Sequence, residues 1–181
     1  MTLLKSPADI ARMRESGRIV ARTLRLTAEQ IRPGVTPREL DAVAHGLILG
    51  EGGEPSFLGY RGYPAATCIS VNDTVVHGIP TDEPLREGDV VSLDFGVVKD
   101  GWHADGAWTY AVGEISKEAQ RLLNVTRESL YQGLAKARVG NRLGDIGHAV
   151  QKYVEGHGYS VVRDLVGHGI GRRHQHRREA E

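Results

Sequence analysis

Glu87 to Gly113 reads EGDVVSLDFGVVKDGWHADGAWTYAVG, two β-favouring runs around a two-residue centre. Asp100-Gly101 carries the residues that a type I′ turn requires, because both central positions take positive φ. The flanking runs, Val90 to Val98 and Trp102 to Val112, make the stretch a hairpin. With Lys99 opposite Trp102, facing residues sum to 201, so Asp94 faces Ala107 and Asp105 faces Gly96. Asp94 and Gly96 share a face through the two-residue strand period, and Asp105 joins it as the partner of Gly96. Two carboxylates thus stand on one face as diagonal cross-strand neighbours, roughly 7–8 Å apart at the backbone. That spacing suits cations held between them, although two Asp on the polar face of an exposed hairpin are also commonplace. Asp94 lies among Val90, Val91, Leu93, Phe95, Val97 and Val98, apolar on both faces as in a buried strand. A buried carboxylate needs a compensating charge or hydrogen bonds, and a divalent ion supplies that charge.

The 181 residues are 40% hydrophobic and 25% charged, an ordinary balance for one soluble globular domain. Lysines and arginines equal acids at 23 each, which excludes a bulk field for nucleic acid or an anionic membrane. A single cysteine, Cys68, excludes an internal disulfide framework and fits a reducing compartment. The start, MTLLKSPAD, has no apolar core long enough for a signal peptide, and no stretch reaches the length of a membrane span. The expected location is the cytoplasm.

Ser6-Pro7-Ala8-Asp9 opens a helix, with Ser as N-cap and Pro at the first helical position. Ile10, Met13, Gly17, Val20, Leu24 and Ile31 follow at helical spacing as one apolar stripe, ending at Pro33-Gly34. Thr36-Pro37-Arg38-Glu39 is a capping box for a second helix with Leu40, Val43, Ala44, Leu47 and Ile48. Glu54 to Pro64 reads as a loop, and strands are expected at Ala66 to Val71 and around Val75 to His77. After the hairpin, Ser116 caps a helix carrying Ala119, Leu122, Leu123, Leu130, Leu134 and Ala137. A fourth helix carries Leu143, Ile146, Val150, Tyr153 and Val154, and Ser160 to Val166 reads as a strand running into Gly167-His168-Gly169-Ile170-Gly171.

The halves match weakly at an offset of 106: Arg32 with Arg138, Gly34 with Gly140, Leu40 with Ile146, Ile48 with Val154 and Gly52 with Gly158. Chance matching of helical stripes could produce part of this, and a duplication the rest. A second copy of the Asp hairpin would fall beyond residue 181, so the expectation is one copy and a fraction of a two-copy fold. Arg172 to Glu181, RRHQHRREAE, has no period and almost no apolar residue, and reads as a solvated, disordered tail after a domain spanning residues 1–171.

Among eight histidines, His168 is the strongest candidate ligand, because flanking glycines let the backbone bend its ring into a site. GHGIG is not a GxGxxG phosphate fingerprint. His77 closes the short Val75-Val76 run, His103 shares the face of Asp105 by hairpin parity, and His45, His148 and His157 read as helix-surface residues.

Three blocks in order, GYRGYPAATCISVNDTVVHGIP, VVSLDFGVVKDGWHAD and GHGIG, resemble a type I methionine aminopeptidase, a dinuclear metallo-aminopeptidase of the pita-bread family. The similarity runs from about Ser6 to Gly171. It implies an α/β (α+β) pseudo-twofold pita-bread fold, an antiparallel sheet covered by helices, with the C-terminal part of the second half missing. It implies removal of the N-terminal methionine from nascent polypeptides with a small second residue, on or off the ribosome, with two divalent ions (cobalt, manganese, iron or zinc). No nucleic acid and no membrane are required.

Carried over by position, Asp94, Asp105 and His168 match the family's metal ligands, with Asp105 between the ions, and His77 matches the catalytic histidine that contacts substrate near the scissile amide. Tyr60, Tyr63 and Cys68 fall where the family lines its methionine pocket. Two further glutamate ligands are expected beyond GHGIG and have no match, Gln175 stands where a second substrate-contacting histidine is expected, and Gly106-Ala107 replaces a hydroxyl pair. The expectation is a chain of this family with weak or no activity of its own; the alternative is a non-catalytic pita-bread module that binds protein.

Overall fold

The computed structural model describes residues 4–172. The chain forms two compact units, one containing the residues up to Glu114 together with those from His168 onward, the other Ile115–Gly167. Apart from Arg172, the expected tail lies outside the described residues.

The first unit begins with α1 (Pro7–Ala28) and α2 (Pro37–Gly50). Both start where the sequence places them. The Asp9 N–H donates to Ser6 Oγ and the Ser6 N–H to the Asp9 carboxylate; Thr36 and Glu39 repeat the exchange. Two otherwise unpaired backbone donors are satisfied at each helix start.

Four strands follow: β1 (Glu54–Pro55), β2 (Cys68–Val71), β3 (Val90–Lys99) and β4 (Trp102–Ala111). All pairings are antiparallel, and β3 is central. β4 runs along one edge of it, while β2 and then β1 share the other. The turn holds Asp100 at φ 50° and Gly101 at φ 74°, and the register is the one the turn dictates: Lys99 opposite Trp102, Gly96 opposite Asp105, Asp94 opposite Ala107.

The pleat then divides β3. Val91, Leu93, Phe95 and Val97 point inward and are fully buried: the first three cluster with Leu40 and Ala44 of α2, Val97 with Ile48 of α2 and Ile19 and Val20 of α1, and Leu24 packs against both clusters. Each such side chain contributes on the order of 1.5–3 kcal/mol by leaving water. Ser92, Asp94 and Val98 on the opposite face are only partly buried. Strand β3 is therefore buried on one face, not on both, because the helices of its own unit cover only the inward side.

Four further expectations are corrected. Val75 to His77 is not a strand: Asn72 turns β2 aside at φ 50°, Val75 and Val76 are exposed, and His77 takes φ 59°, outside any ladder. Ser160 to Val166 is irregular, with Val162, Leu165 and Val166 exposed; β propensity needs a paired edge, and none reaches it among the described residues. The inward face of α1 runs through Ser16, Ile19, Val20, Thr23 and Thr27, and Ile10 lies outside it. Glu54-Pro55, read as loop, pairs with the end of β3.

The second unit is a helical hairpin, α3 (Lys117–Leu134) and α4 (Leu143–Gly156). The Ser116 hydroxyl accepts from the Ala119 N–H at the expected cap. Val125, Ser129 and Gly133 face inward, while Leu122, Leu130 and Leu134 of the expected stripe are exposed. At Gly133 an added Cβ would lie 2.8 Å from Val150 Cγ2, so the helices cross on glycine.

The offset of 106 reappears in element boundaries. α2 at 37–50 maps onto α4 at 143–156, and the end of α1 at 28 onto the end of α3 at 134. Gly34 and Gly140 take φ of 91° and 93°, Gly52 and Gly158 of 68° and 82°. The same offset places Ser160 to Val166 over residues 54–60, which are mostly loop in the first half.

Gly96 is a position where packing forbids a side chain: an added Cβ would lie 2.5 Å from Phe57 Cε1 and 2.9 Å from Ser56 Cβ. Gly96→Ala is expected to lower stability by about 1–3 kcal/mol, measured as a shift of the denaturant midpoint. An unchanged midpoint would show that Phe57 does not seal this part of the sheet.

Candidate metal centre

The outward face of the sheet carries most of the candidate residues. Cys68, Asp94 and Ala107 lie in one row across it, Ser70, Ser92 and Thr109 in the next, and Gly96 with Asp105 and Val98 with His103 toward the turn. Ser92 Oγ and Thr109 Oγ1 are 2.8 Å apart. The hairpin thus supplies hydroxyls beside its acids, one row from the Gly106-Ala107 substitution noted in the sequence.

Asp94 and Asp105 lie close enough across the hairpin to perturb each other. Burial first, and the Asp105 charge second, push the Asp94 carboxyl up to about 7. Beside them, burial chiefly pushes the Cys68 thiol up to about 11, with the charges of Asp94 and Asp105 adding to it. A thiol held neutral in this way is not a thiolate donor. The Tyr63 hydroxyl is likewise driven upward by burial and by Cys68.

His168 reaches this face from far along the chain. The His103 N–H donates to the Gly171 carbonyl at 2.8 Å, continuing the hairpin's hydrogen bonding onto the GHGIG segment. The Arg172 guanidinium sits 4.9 Å from the Trp102 ring centroid. His168 Nε2 then lies 3.7 Å from Asp105 Oδ2, within ion-pair range but beyond a hydrogen bond. His103 Nδ1 is 3.1 Å from Ser56 Oγ, so its ring is engaged beside the acids.

The three expected ligands meet in pairs, Asp94 with Asp105 and Asp105 with His168. Among the described residues no group of three His, Cys, Asp or Glu side chains converges closely enough to enclose an ion. The donor chemistry nevertheless fits a divalent cation, since carboxylate oxygens beside an imidazole suit several first-row metals. The raised Asp94 carboxyl, buried beside a second acid, marks where positive charge would be stabilised.

Of the other candidates, Tyr63 is half-buried with its hydroxyl 3.0 Å from the Thr67 carbonyl and 2.9 Å from that of Gly78. Tyr60 sits in a 3-10 turn, Tyr60–Gly62, with the Arg61 guanidinium 5.5 Å from its ring centroid. His77 is exposed, beside the free edge of β2. Sequence reading missed Asp41, whose Oδ1 accepts from both the N–H and the hydroxyl of buried Thr67, at 2.8 and 2.6 Å, and so anchors the start of β2. It also missed Ser56 and Ser70; none of the three belongs to a motif.

Residues 11–180 match metallopeptidase family M24. The chain is 50% identical over 173 residues to the methionine aminopeptidase of Clostridium perfringens, covering 96% of this chain and 70% of that protein. The chain belongs to the methionine aminopeptidases of family M24. Methionine aminopeptidase 1 of Bacillus subtilis is 48% identical over 171 residues, with 94% of this chain and 69% of that protein covered. The crystal structure of the Rickettsia prowazekii methionine aminopeptidase superposes with a TM-score of 0.96 at 40% identity, over 98% of this chain and 72% of that one. The fold is therefore the mixed α/β pita-bread fold, as the resemblance implied, and membership in a family of metallopeptidases makes divalent metal ions part of its chemistry.

The raised Asp94 carboxyl sets a pH dependence. Its value climbs on folding from about 3.9 in an unfolded chain to about 7, so between those pH values the folded state holds more protons than the unfolded one. Stability of the metal-free protein therefore falls as pH rises through this window. Asp94→Asn, which cannot ionise, is expected to raise the unfolding midpoint at pH 8. The gain reaches at most a few kcal/mol, at about 1.4 kcal/mol per pK unit, and closes toward pH 4. Denaturation in the presence of a chelator checks this, and a gain independent of pH would contradict it.

Proposed function

We propose that this chain acts on the N-terminal methionine of nascent polypeptides with a small second residue, in the cytoplasm and at or near the ribosome. The observation that carries the reading is the carboxyl pair Asp94 and Asp105 on one sheet face with His168 3.7 Å from Asp105, in a chain of family M24. No helix among the described residues is long and apolar enough to cross a membrane, and formal charge is balanced, in keeping with a substrate that is neither lipid nor nucleic acid.

Asp94, Asp105 and His168 would hold two divalent ions, drawn from cobalt, manganese, iron or zinc, with Asp105 shared between them. Bound there, such ions would supply a Lewis acid for the scissile carbonyl and acidify water. Tyr63 and Cys68, neutral and largely apolar in contact, would receive the thioether side chain together with Tyr60. His77 would contact the substrate near the amide that breaks.

The same donor set limits activity. Two carboxylates and one imidazole provide at most about five donor atoms and two negative charges, a set that by itself would leave an ion pair under-neutralised and would include no carboxylate besides the ligands to carry a proton. A polypeptide of these 181 residues is expected to cleave Met-Ala-Ser about 10²–10⁴-fold more slowly than the Bacillus subtilis relative assayed alongside with manganese. Comparable turnover would overturn this assignment of the chemistry.

The pairwise meeting of the ligands favours one second reading, a pita-bread module that binds polypeptide without cutting it. Calorimetric titration with manganese or cobalt separates the two. Metal binding that drops by about tenfold or more in Asp105→Ala supports the enzyme reading. No binding in the wild type, or affinity unchanged in the variant, supports the module.

A further inference from the structure

Among the described residues, His77 is one of four non-glycine residues with positive φ, at 59°. For a residue with a Cβ this conformation costs on the order of 1 kcal/mol or more, and it persists only where neighbours over-determine it. The determinants are visible one residue later. Gly78 lies flat against β2: an added Cβ would collide with the Ile69 carbonyl oxygen and lie 2.9 Å from Ser70 Cα. Its carbonyl accepts from the Ile69 N–H at 2.9 Å and lies 2.9 Å from the Tyr63 hydroxyl. Its N–H donates to Ser70 Oγ at 3.1 Å.

The last of these bonds is made by a side chain, and that side chain has a particular place. Ser70 is buried, pairs with Ser92, and stands one row from Cys68 and Asp94 on the outward face. Its hydroxyl thus ties the peptide that follows His77 to the row of groups carrying the acids. Both backbone polar groups of Gly78, its N–H and its C=O, are held from β2 and from Tyr63, while the His77 ring stays exposed. Rigid backbone and accessible ring together are what a substrate-contacting histidine requires.

We propose that Ser70 is a positioning residue that acts through His77: its hydroxyl accepts from the Gly78 amide and thereby fixes the left-handed backbone that presents the exposed imidazole. The substrate side of this statement rests on the role given to His77 above; the positioning side does not. Tyr63, whose hydroxyl donates to the carbonyl of the same glycine, is the second anchor.

The test follows the histidine directly. In the 181-residue protein, Ser70→Ala is expected to speed hydrogen exchange at the Gly78 amide by about tenfold, the worth of one lost hydrogen bond, and to shift and sharpen the His77 ring resonances toward those of a mobile side chain. Ser70→Thr, which keeps the hydroxyl, should restore the wild-type signals, and manganese affinity should stay unchanged throughout. Tyr63→Phe, which removes a hydroxyl without opening a cavity, should move the same signals in the same direction, so the inference stays testable if Ser70→Ala folds poorly. His77 resonances and Gly78 exchange that match wild type in both variants would overturn it, as would failure of Ser70→Thr to restore them. If His77→Ala leaves Met-Ala-Ser binding intact while Ser70→Ala still releases the ring, the positioning holds and the substrate role of His77 fails.

Discussion

Two carboxyl groups are forced onto one face of a hairpin whose turn leaves them no alternative register, and the rest of the site answers that constraint. Asp100 and Gly101 at positive φ set the pairing, the pairing sets Asp94 beside Asp105, and burial together with the neighbouring charge makes ionisation of Asp94 costly. The neutral Cys68 thiol, the imidazole of His168 and the hydroxyls of Ser92 and Thr109 are all groups that tolerate or offset that charge. The inward side of the same strands is bound by a different rule, dense apolar packing, and the alternation along β3 keeps the two apart residue by residue.

The features legible in the sequence were those decided locally. Caps at Ser6, Thr36 and Ser116 are chosen by residues within three positions, and the hairpin register by its two turn residues. Features decided by remote partners were not. Val75 to His77 and Ser160 to Val166 carry β-forming residues, yet a strand exists only where another edge accepts it. The faces of α1 and α3 were misjudged at Ile10 and Leu122 because helical periodicity gives the spacing of a stripe without saying which neighbour it meets. In the site itself, the acids and His168 were readable from residue type and motif, whereas Asp41, Ser56 and Ser70 act by hydrogen bonds whose spacing in sequence is irregular.

The two helical pairs show how far a shared pattern reaches. Their boundaries and their positive-φ glycines coincide at one offset, although few side chains match. What is kept is the punctuation: where a helix starts, and where the chain must turn through a conformation that favours glycine. Side chains between those marks have diverged with their surroundings, and the acids of the hairpin belong to the first half alone among the described residues.

Asp94 and Asp105 are separated by eleven positions and one tight turn, while His168 follows 63 positions after Asp105. Closing so short a loop is entropically cheap and fast, on the microsecond scale of hairpin formation, whereas synthesis adds only about 5–20 residues each second. On a growing chain both acids are therefore present several seconds before His168 has been made. In that interval the hairpin stands without the packing that encloses it, and an isolated two-stranded hairpin is marginally stable at best, so the raised Asp94 carboxyl, whose largest cause is burial, belongs to the folded unit and not to the hairpin alone.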